Sequence, residues 1–232
     1  MSPEQIPQED YIRSLFVRRA EKEKRTRLER FRHLNPLARP GQILLSGSSL
    51  MEHFPIHELL EDRGIHLPLS IYNRAIAGFT TRELLDSLDL CICDLKPSKI
   101  FLNIGTNDMN GEDYREEDMI GRYREILERV RGRLPAVRLF LLAYYPVCPQ
   151  AAKGHPTIEA VLKWRTKERL CAANEAVRKL AEEFGAAYID CNAGITGRDG
   201  YLKKEYAVEG LHMFGDGYDK VLDRLLPYLE QP

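Results

Sequence analysis

Five short apolar runs, each ended by small or polar residues and followed by a helix-length segment, limit what this chain can fold into. The first is Ile43-Leu44-Leu45, closed by Ser46-Gly47-Ser48-Ser49. The others are Leu69-Ser70-Ile71-Tyr72-Asn73, Lys99-Ile100-Phe101-Leu102-Asn103-Ile104, and residues 137–143 and 186–190. A short run as apolar as the first reads as a strand covered on both faces. Strands alternating with helices imply a parallel sheet with helices on both sides and right-handed crossovers.

The expected fold class is therefore α/β: a three-layer, flavodoxin-like parallel sheet with strand order 2-1-3-4-5. In such sheets a site forms outside the carboxyl ends of the strands. Helices are expected over residues 50–63, from Thr80 or Thr81 to Leu95, over 118–132, from about 158 to Phe184, and over 216–229. Glu83 stands in the first turn of the second of these, as a capping box requires. Residues 147–157 read as a loop and 191–214 as a long connection.

At 232 residues, with 44% hydrophobic and 30% charged side chains, the chain has the makings of one large globular domain. Residues 41–232 form that domain in this reading, and residues 1–40 form an N-terminal helical extension. Asp10 is placed to cap a helix over 9–33, and Ile12, Leu15, Phe16, Leu28 and Phe31 give it a broken apolar stripe. Between Tyr11 and His33 stand nine Lys/Arg and three Glu. Such a helix fits a solvated surface element packed by its ends better than a nucleic-acid or membrane contact. It should pack along the domain or against a second copy of the chain, and a homodimer is favoured.

A net charge of −1 gives no global pull towards nucleic acid or anionic lipid. No apolar run approaches the ~20 residues of a membrane helix, and residues 1–5 lack the pattern of a signal peptide. Cys91, Cys93, Cys148, Cys171 and Cys191 are scattered without a C-x-x-C pair, as reduced thiols in a cytoplasm would be. His53, His57 and His66 read as surface residues, away from any acidic cluster.

Polar clusters follow the strand ends. Ser49 follows the first strand, Gly78 the second and Asn107 the third, while Glu209-Gly210-Leu211-His212 follows the fifth at a distance. Taken singly, each has a plain structural reading. Ser48 or Ser49 could cap a helix, Asn107 and Gly78 could stabilise turns, and His212 could be a surface histidine. Taken together they converge on one sheet edge and supply the parts of nucleophilic acyl transfer: a hydroxyl, a base, an acid and oxyanion donors.

At these residues the chain resembles the SGNH, or GDSL, hydrolases. Gly47-Ser48-Ser49-Leu50 resembles the first family motif, Asn73-Arg74-Ala75-Ile76-Ala77-Gly78 the second, Gly105-Thr106-Asn107-Asp108 the third and Glu209-Gly210-Leu211-His212 the fourth. Within the family, the run 202–206 is similar to bacterial esterases of the platelet-activating-factor acetylhydrolase type.

The resemblance implies Ser49 as nucleophile, His212 as base and Glu209 as the acid that orients it. It implies an oxyanion hole from the Ser49 and Gly78 backbone N–H groups and the Asn107 amide. It also implies a serine esterase acting on short-chain acyl esters, acetyl groups on sugars or small lipids among them, with no metal or cofactor. A thioesterase or acyltransferase would use the same site, and an inactive binding module would share the fold. Ser48 replaces the family Asp and leaves two candidate serines. Glu209 replaces another Asp, so its longer side chain must reach His212 differently. Asp108 is expected to support the turn after Asn107. Residues 147–165 should form one wall or lid of the site, with Tyr144 and Tyr145 at its edge.

Overall fold

The computed structural model describes residues 8–231, without the side chains of residues 8–10, 12 and 13. Residues 1–5 and the side chains of Asp10 and Ile12 lie outside the described residues; the backbone of Asp10 is already helical, so the helix does not begin there. The five strands are β1 (Ile43–Gly47), β2 (Ile71–Asn73), β3 (Lys99–Asn103), β4 (Arg138–Leu142) and β5 (Ala187–Ile189). They form one parallel sheet in the order β2-β1-β3-β4-β5, as expected. Every residue of β1 and β3 is buried, which explains why these runs carry no polar alternation. Leu44 packs into the core on one face of the sheet, and Ile43 and Leu45 into the core on the other.

Ten helices flank the sheet among the described residues, beginning with α1 (Gln8–Leu34). The helix expected over 50–63 is two pieces, α2 (Ser49–Glu52) and α3 (Ile56–Asp62). Pro55 lies between them, without an N–H to continue the ladder. The next expected helix also breaks, into α4 (Thr81–Asp86), α5 (Leu88–Cys91) and a 3₁₀ turn at Cys93–Leu95. Its start is as expected: Thr80 and Glu83 form a capping box. The bends bury Leu84, Leu85, Leu88, Cys91, Ile92, Cys93 and Leu95 together, more positions than the one apolar stripe of a straight helix offers.

The remaining helices are α6 (Glu116–Arg133), α7 (Pro149–Ala152), α8 (Pro156–Leu162), α9 (Lys167–Glu183) and α10 (Gly215–Leu229). A single helix from 158 to Phe184 was expected. Thr166 ends it, because its side chain accepts from the Arg169 N–H and caps a new helix, α9. None of the described helices is long and apolar enough to cross a membrane.

α1 is fixed to the domain through its second half. Phe31 is buried in the core, and the Arg74 guanidinium lies 4.9 Å from its ring centroid. Arg74 donates to Asn35 Oδ1 (2.9 Å), and Asn35 Nδ2 donates to the Leu90 carbonyl (2.8 Å). Lys24 pairs with Glu83 at 2.5 Å, and Arg27 pairs with Glu52. Leu15, Phe16 and Val17, further towards the N-terminus, are exposed. Phe31→Ala should therefore cost about 3 kcal/mol, while Phe16→Ala should stay within about 0.5 kcal/mol. Urea unfolding of the two variants checks this; equal losses would mean that Phe31 does not anchor α1.

Candidate active site

The turn after β1 is made by a close approach of backbones. A side chain at Gly47 would put its Cβ 2.1 Å from the Asn103 carbonyl oxygen, and Gly47 has φ +144°. Only glycine tolerates that combination. The same Asn103 oxygen accepts from the Ser48 N–H at 3.2 Å, so β1 is held against the end of β3 as α2 begins.

The two serines then part. Ser48 is fully buried, and its Oγ has no partner. Ser49 opens α2, and its Oγ stands 2.8 Å from His212 Nε2. Neither side chain makes a capping bond; the Ser49 hydroxyl is taken by the histidine instead.

His212 is carried by a tight loop. Ala207 and Met213 form a β-bridge across its base, and the Val208 N–H donates to the His212 carbonyl at 2.9 Å. The Cys148 N–H donates to the Gly210 carbonyl at 2.8 Å, tying the loop to the segment after β4. Glu209 Oε1 lies 2.5 Å from His212 Nδ1, so the extra methylene does not prevent contact. Burial pushes the Glu209 carboxyl up, but the hydrogen bond and charge of His212 outweigh it and leave the group below its ordinary value. An ionised carboxylate only accepts. Nδ1 therefore carries the proton, and the Nε2 lone pair faces the Ser49 hydroxyl.

His53 is exposed, as the sequence suggests, but its ring centroid lies 5.2 Å from that of His212. Burial, and then the neighbouring His212, hold its imidazole below the ordinary value. The sequence offered no signal for this pairing, because the two rings meet only across the folded site.

The other expected site residues lie on linked loops. Asn73 Nδ2 donates to the Met51 carbonyl at 2.7 Å, and the Ile76 N–H donates to the Gly47 carbonyl at 3.1 Å. These bonds lock the β2–α4 loop to the Ser49 turn. Glu52 accepts from the Ala77 N–H at 2.5 Å, and Gly78 follows with φ +77°. Asn107 Nδ2 donates to the Phe79 carbonyl at 2.9 Å, joining the third loop to the second. The Ser49 and Gly78 N–H groups donate to no acceptor among the described residues.

Asp108 accepts from the Thr81 N–H at 2.9 Å and pairs with Arg122 at 3.1 Å, so it supports the turn as expected. Tyr144 and Tyr145 are core residues and not the edge of the site; the Tyr144 hydroxyl is spent on the Ile104 carbonyl at 2.7 Å. The segment 147–165 does run beside the site. It is bound to the His212 loop through Cys148 and to Asn107 through Arg165, which donates to Asn107 Oδ1 at 3.1 Å. Sequence reasoning missed Arg165. The capping signal at Thr166 could have placed it at a helix break, though not against Asn107.

Residues 55–220 match the profile of the GDSL-like lipase/acylhydrolase family. The chain belongs to this family. Membership makes it an SGNH-type ester hydrolase. The match begins after the Ser49 turn, where Ser48 departs from the family pattern.

Among solved structures the chain is similar to one provisionally assigned as a platelet activating factor from Streptococcus pneumonia. The two are 28% identical over 95% of this chain and 99% of that one, with a TM-score of 0.84. A GDSL-like lipase from Bacteroides thetaiotaomicron shares the fold at 18% identity, over 88% and 97% of the two chains, with a TM-score of 0.70. So does an acetyl-xylooligosaccharide esterase of Geobacillus, at 15% identity over 84% and 96%, with a TM-score of 0.61. No curated protein matches.

The depressed Glu209 carboxyl has a pH signature. A group with a folded pKa below its unfolded one adds stability above the unfolded value and loses it as pH falls through the folded value. Below the ordinary glutamate range, wild-type stability should therefore fall more steeply with acid than that of Glu209→Gln. Urea unfolding at stepped pH tests this; parallel slopes would mean that the contact does not hold in solution.

Proposed function

We propose that this ester hydrolase works through an acyl-enzyme on Ser49 and prefers short acyl groups, acetyl to butyryl. The observation that carries the reading is the line Glu209 Oε1–His212 Nδ1 (2.5 Å) and His212 Nε2–Ser49 Oγ (2.8 Å). Ser49 Oγ attacks the ester carbonyl as its proton passes to Nε2. The carbonyl oxygen becomes an oxyanion, received by the free Ser49 and Gly78 N–H groups and by Asn107 Nδ2. The imidazolium then gives its proton to the leaving alcohol. Water, deprotonated by His212, attacks the acyl-enzyme and releases the acid. Glu209 holds the ring tautomer and offsets the imidazolium charge.

The preference for short chains rests on what surrounds the site. α8 has no buried residue, and Tyr144 and Tyr145 are spent in the core. Neither builds a covered apolar channel for a lipid tail. The acetyl-xylooligosaccharide esterase is similar in fold alone, so acetylated sugars are one class to assay among others. All five cysteines are free, which supports a reducing compartment such as the cytoplasm.

A fluorophosphonate probe should label wild type and Ser48→Ala, but not Ser49→Ala. In the latter kcat should fall on the scale of about 10⁶, the loss seen when a subtilisin nucleophile is removed. Loss of labelling in Ser48→Ala alone would reassign the nucleophile. An absence of labelling in wild type would favour a binding module. On a graded ester panel, faster turnover of chains beyond ~10 carbons would overturn the short-chain reading, since a drug-sized pocket is only ~300–1,000 Å³. Product analysis with added alcohols would detect acyl transfer. Glu209→Gln should lower kcat at least about tenfold, roughly 1.4 kcal/mol of barrier. Wild-type kcat in that variant would reduce the site to a Ser49–His212 dyad.

A further inference from the structure

Arg165 is a buried cation that the reaction scheme above does not use. It is 5% exposed and stands in the break between α8 and α9. No carboxylate pairs with it among the described residues. Its guanidinium is spent on neutral amide oxygens instead. Nε and Nη2 donate to Asn110 Oδ1 at 3.2 and 2.8 Å, and Nη2 also donates to Asn107 Oδ1 at 3.1 Å. Burial lowers its pKa to about 10, with Glu209 acting in the opposite direction, so the group is a cation at neutral pH.

A charge placed there without a contacting carboxylate is costly to bury, and its partners show what it does. An asparagine amide has two ends of almost the same shape, one donating and one accepting. Turned by half a revolution, Asn107 would present an oxygen to the substrate and repel an oxyanion. A guanidinium has donors only, so Asn107 must offer it Oδ1. The opposite end, Nδ2, is then aimed towards the Gly78–Phe79 loop. One of its hydrogens goes to the Phe79 carbonyl; the other is free.

We propose that Arg165 is a positioning residue that locks the Asn107 amide with Nδ2 towards the oxyanion. This rests on the reading of Asn107 as an oxyanion donor. The break between α8 and α9, capped by Thr166, places residue 165 where it can turn inwards. It also gives residues 147–165 a task in the reaction beyond walling the site.

The test is a double-mutant cycle on the full-length chain with p-nitrophenyl acetate, using Arg165→Met, Asn107→Ala and the pair. Removing one oxyanion donor typically costs about 10²–10³ in kcat, and Asn107→Ala should fall in that range. Arg165→Met should lower kcat about 10- to 100-fold with KM changed less than about threefold. In the Asn107→Ala background the same substitution should cost little, because there is no amide left to orient. Arg165→Lys keeps the charge without the fork. It should lose less than Arg165→Met, and its loss should also vanish without Asn107. It serves as the test variant if Arg165→Met fails to fold. An equal loss in both backgrounds, or no loss in wild type, overturns the proposal. Undiminished kcat in Asn107→Ala would instead remove the oxyanion reading on which it rests.

Discussion

The Asn103 carbonyl oxygen occupies the space that a side chain at position 47 would need. It is also the acceptor for the Ser48 N–H. That one atom fixes how closely β1 lies against the end of β3, and hence where α2 starts. Because Ser49 is the first residue of α2, its N–H has no helical partner and its hydroxyl projects from the end of the sheet towards His212. A residue larger than glycine at 47 would push β1 away from β3 and carry the serine with it. The rest of the site is built outwards from this contact: the Gly47 carbonyl receives the Ile76 N–H, and the Met51 carbonyl receives the Asn73 amide.

The loops that meet Ser49 are held to one another by hydrogen bonds. Each is tied to its neighbour through a backbone group: Asn107 to Phe79, Glu52 to Ala77, Cys148 to Gly210. The Gly78 loop and the Asn107 amide are therefore fixed relative to the Ser49 turn by bonds within the protein. α1 joins this scaffold although it lies before the span matched by the family. Its Arg27 pairs with the same Glu52 carboxylate that holds the Ala77 N–H next to Gly78. A helix that reads in sequence as a basic, solvated appendage is thus linked through Glu52 to the loop that carries Gly78.

What was legible in the sequence had a local cause. β1 and β3 announce themselves because both faces are buried, and the capping box at Thr80 lies within four residues. Ser49, Gly78, Asn107, Glu209 and His212 sit in short motifs at strand ends, so the sheet order alone brings them to one edge. What was not legible was long-range. Arg165 meets Asn107 across 58 positions, and His53 meets His212 only through the fold. The tyrosines after β4 read as site residues because they end a strand there. The backbone there turns Tyr144 inwards, to the Ile104 carbonyl.

The two departures from the family pattern differ in physical kind. At position 209 the change is one of reach. Glutamate is longer than aspartate, but the Ala207–Met213 bridge draws residues 209 and 212 close enough for the longer chain to fold back onto Nδ1. Its second oxygen is buried without a partner, so the carboxylate has one strong bond where it could make several. At position 48 the change is one of charge. The site is fully buried, and an ionised aspartate there would need donors to offset its desolvation. A neutral hydroxyl needs less, and Ser48 has no hydrogen-bond partner for its Oγ. The substitution thus leaves no buried negative charge beside Ser49. The cost is an unsatisfied hydroxyl, which is smaller than that of an unsatisfied carboxylate.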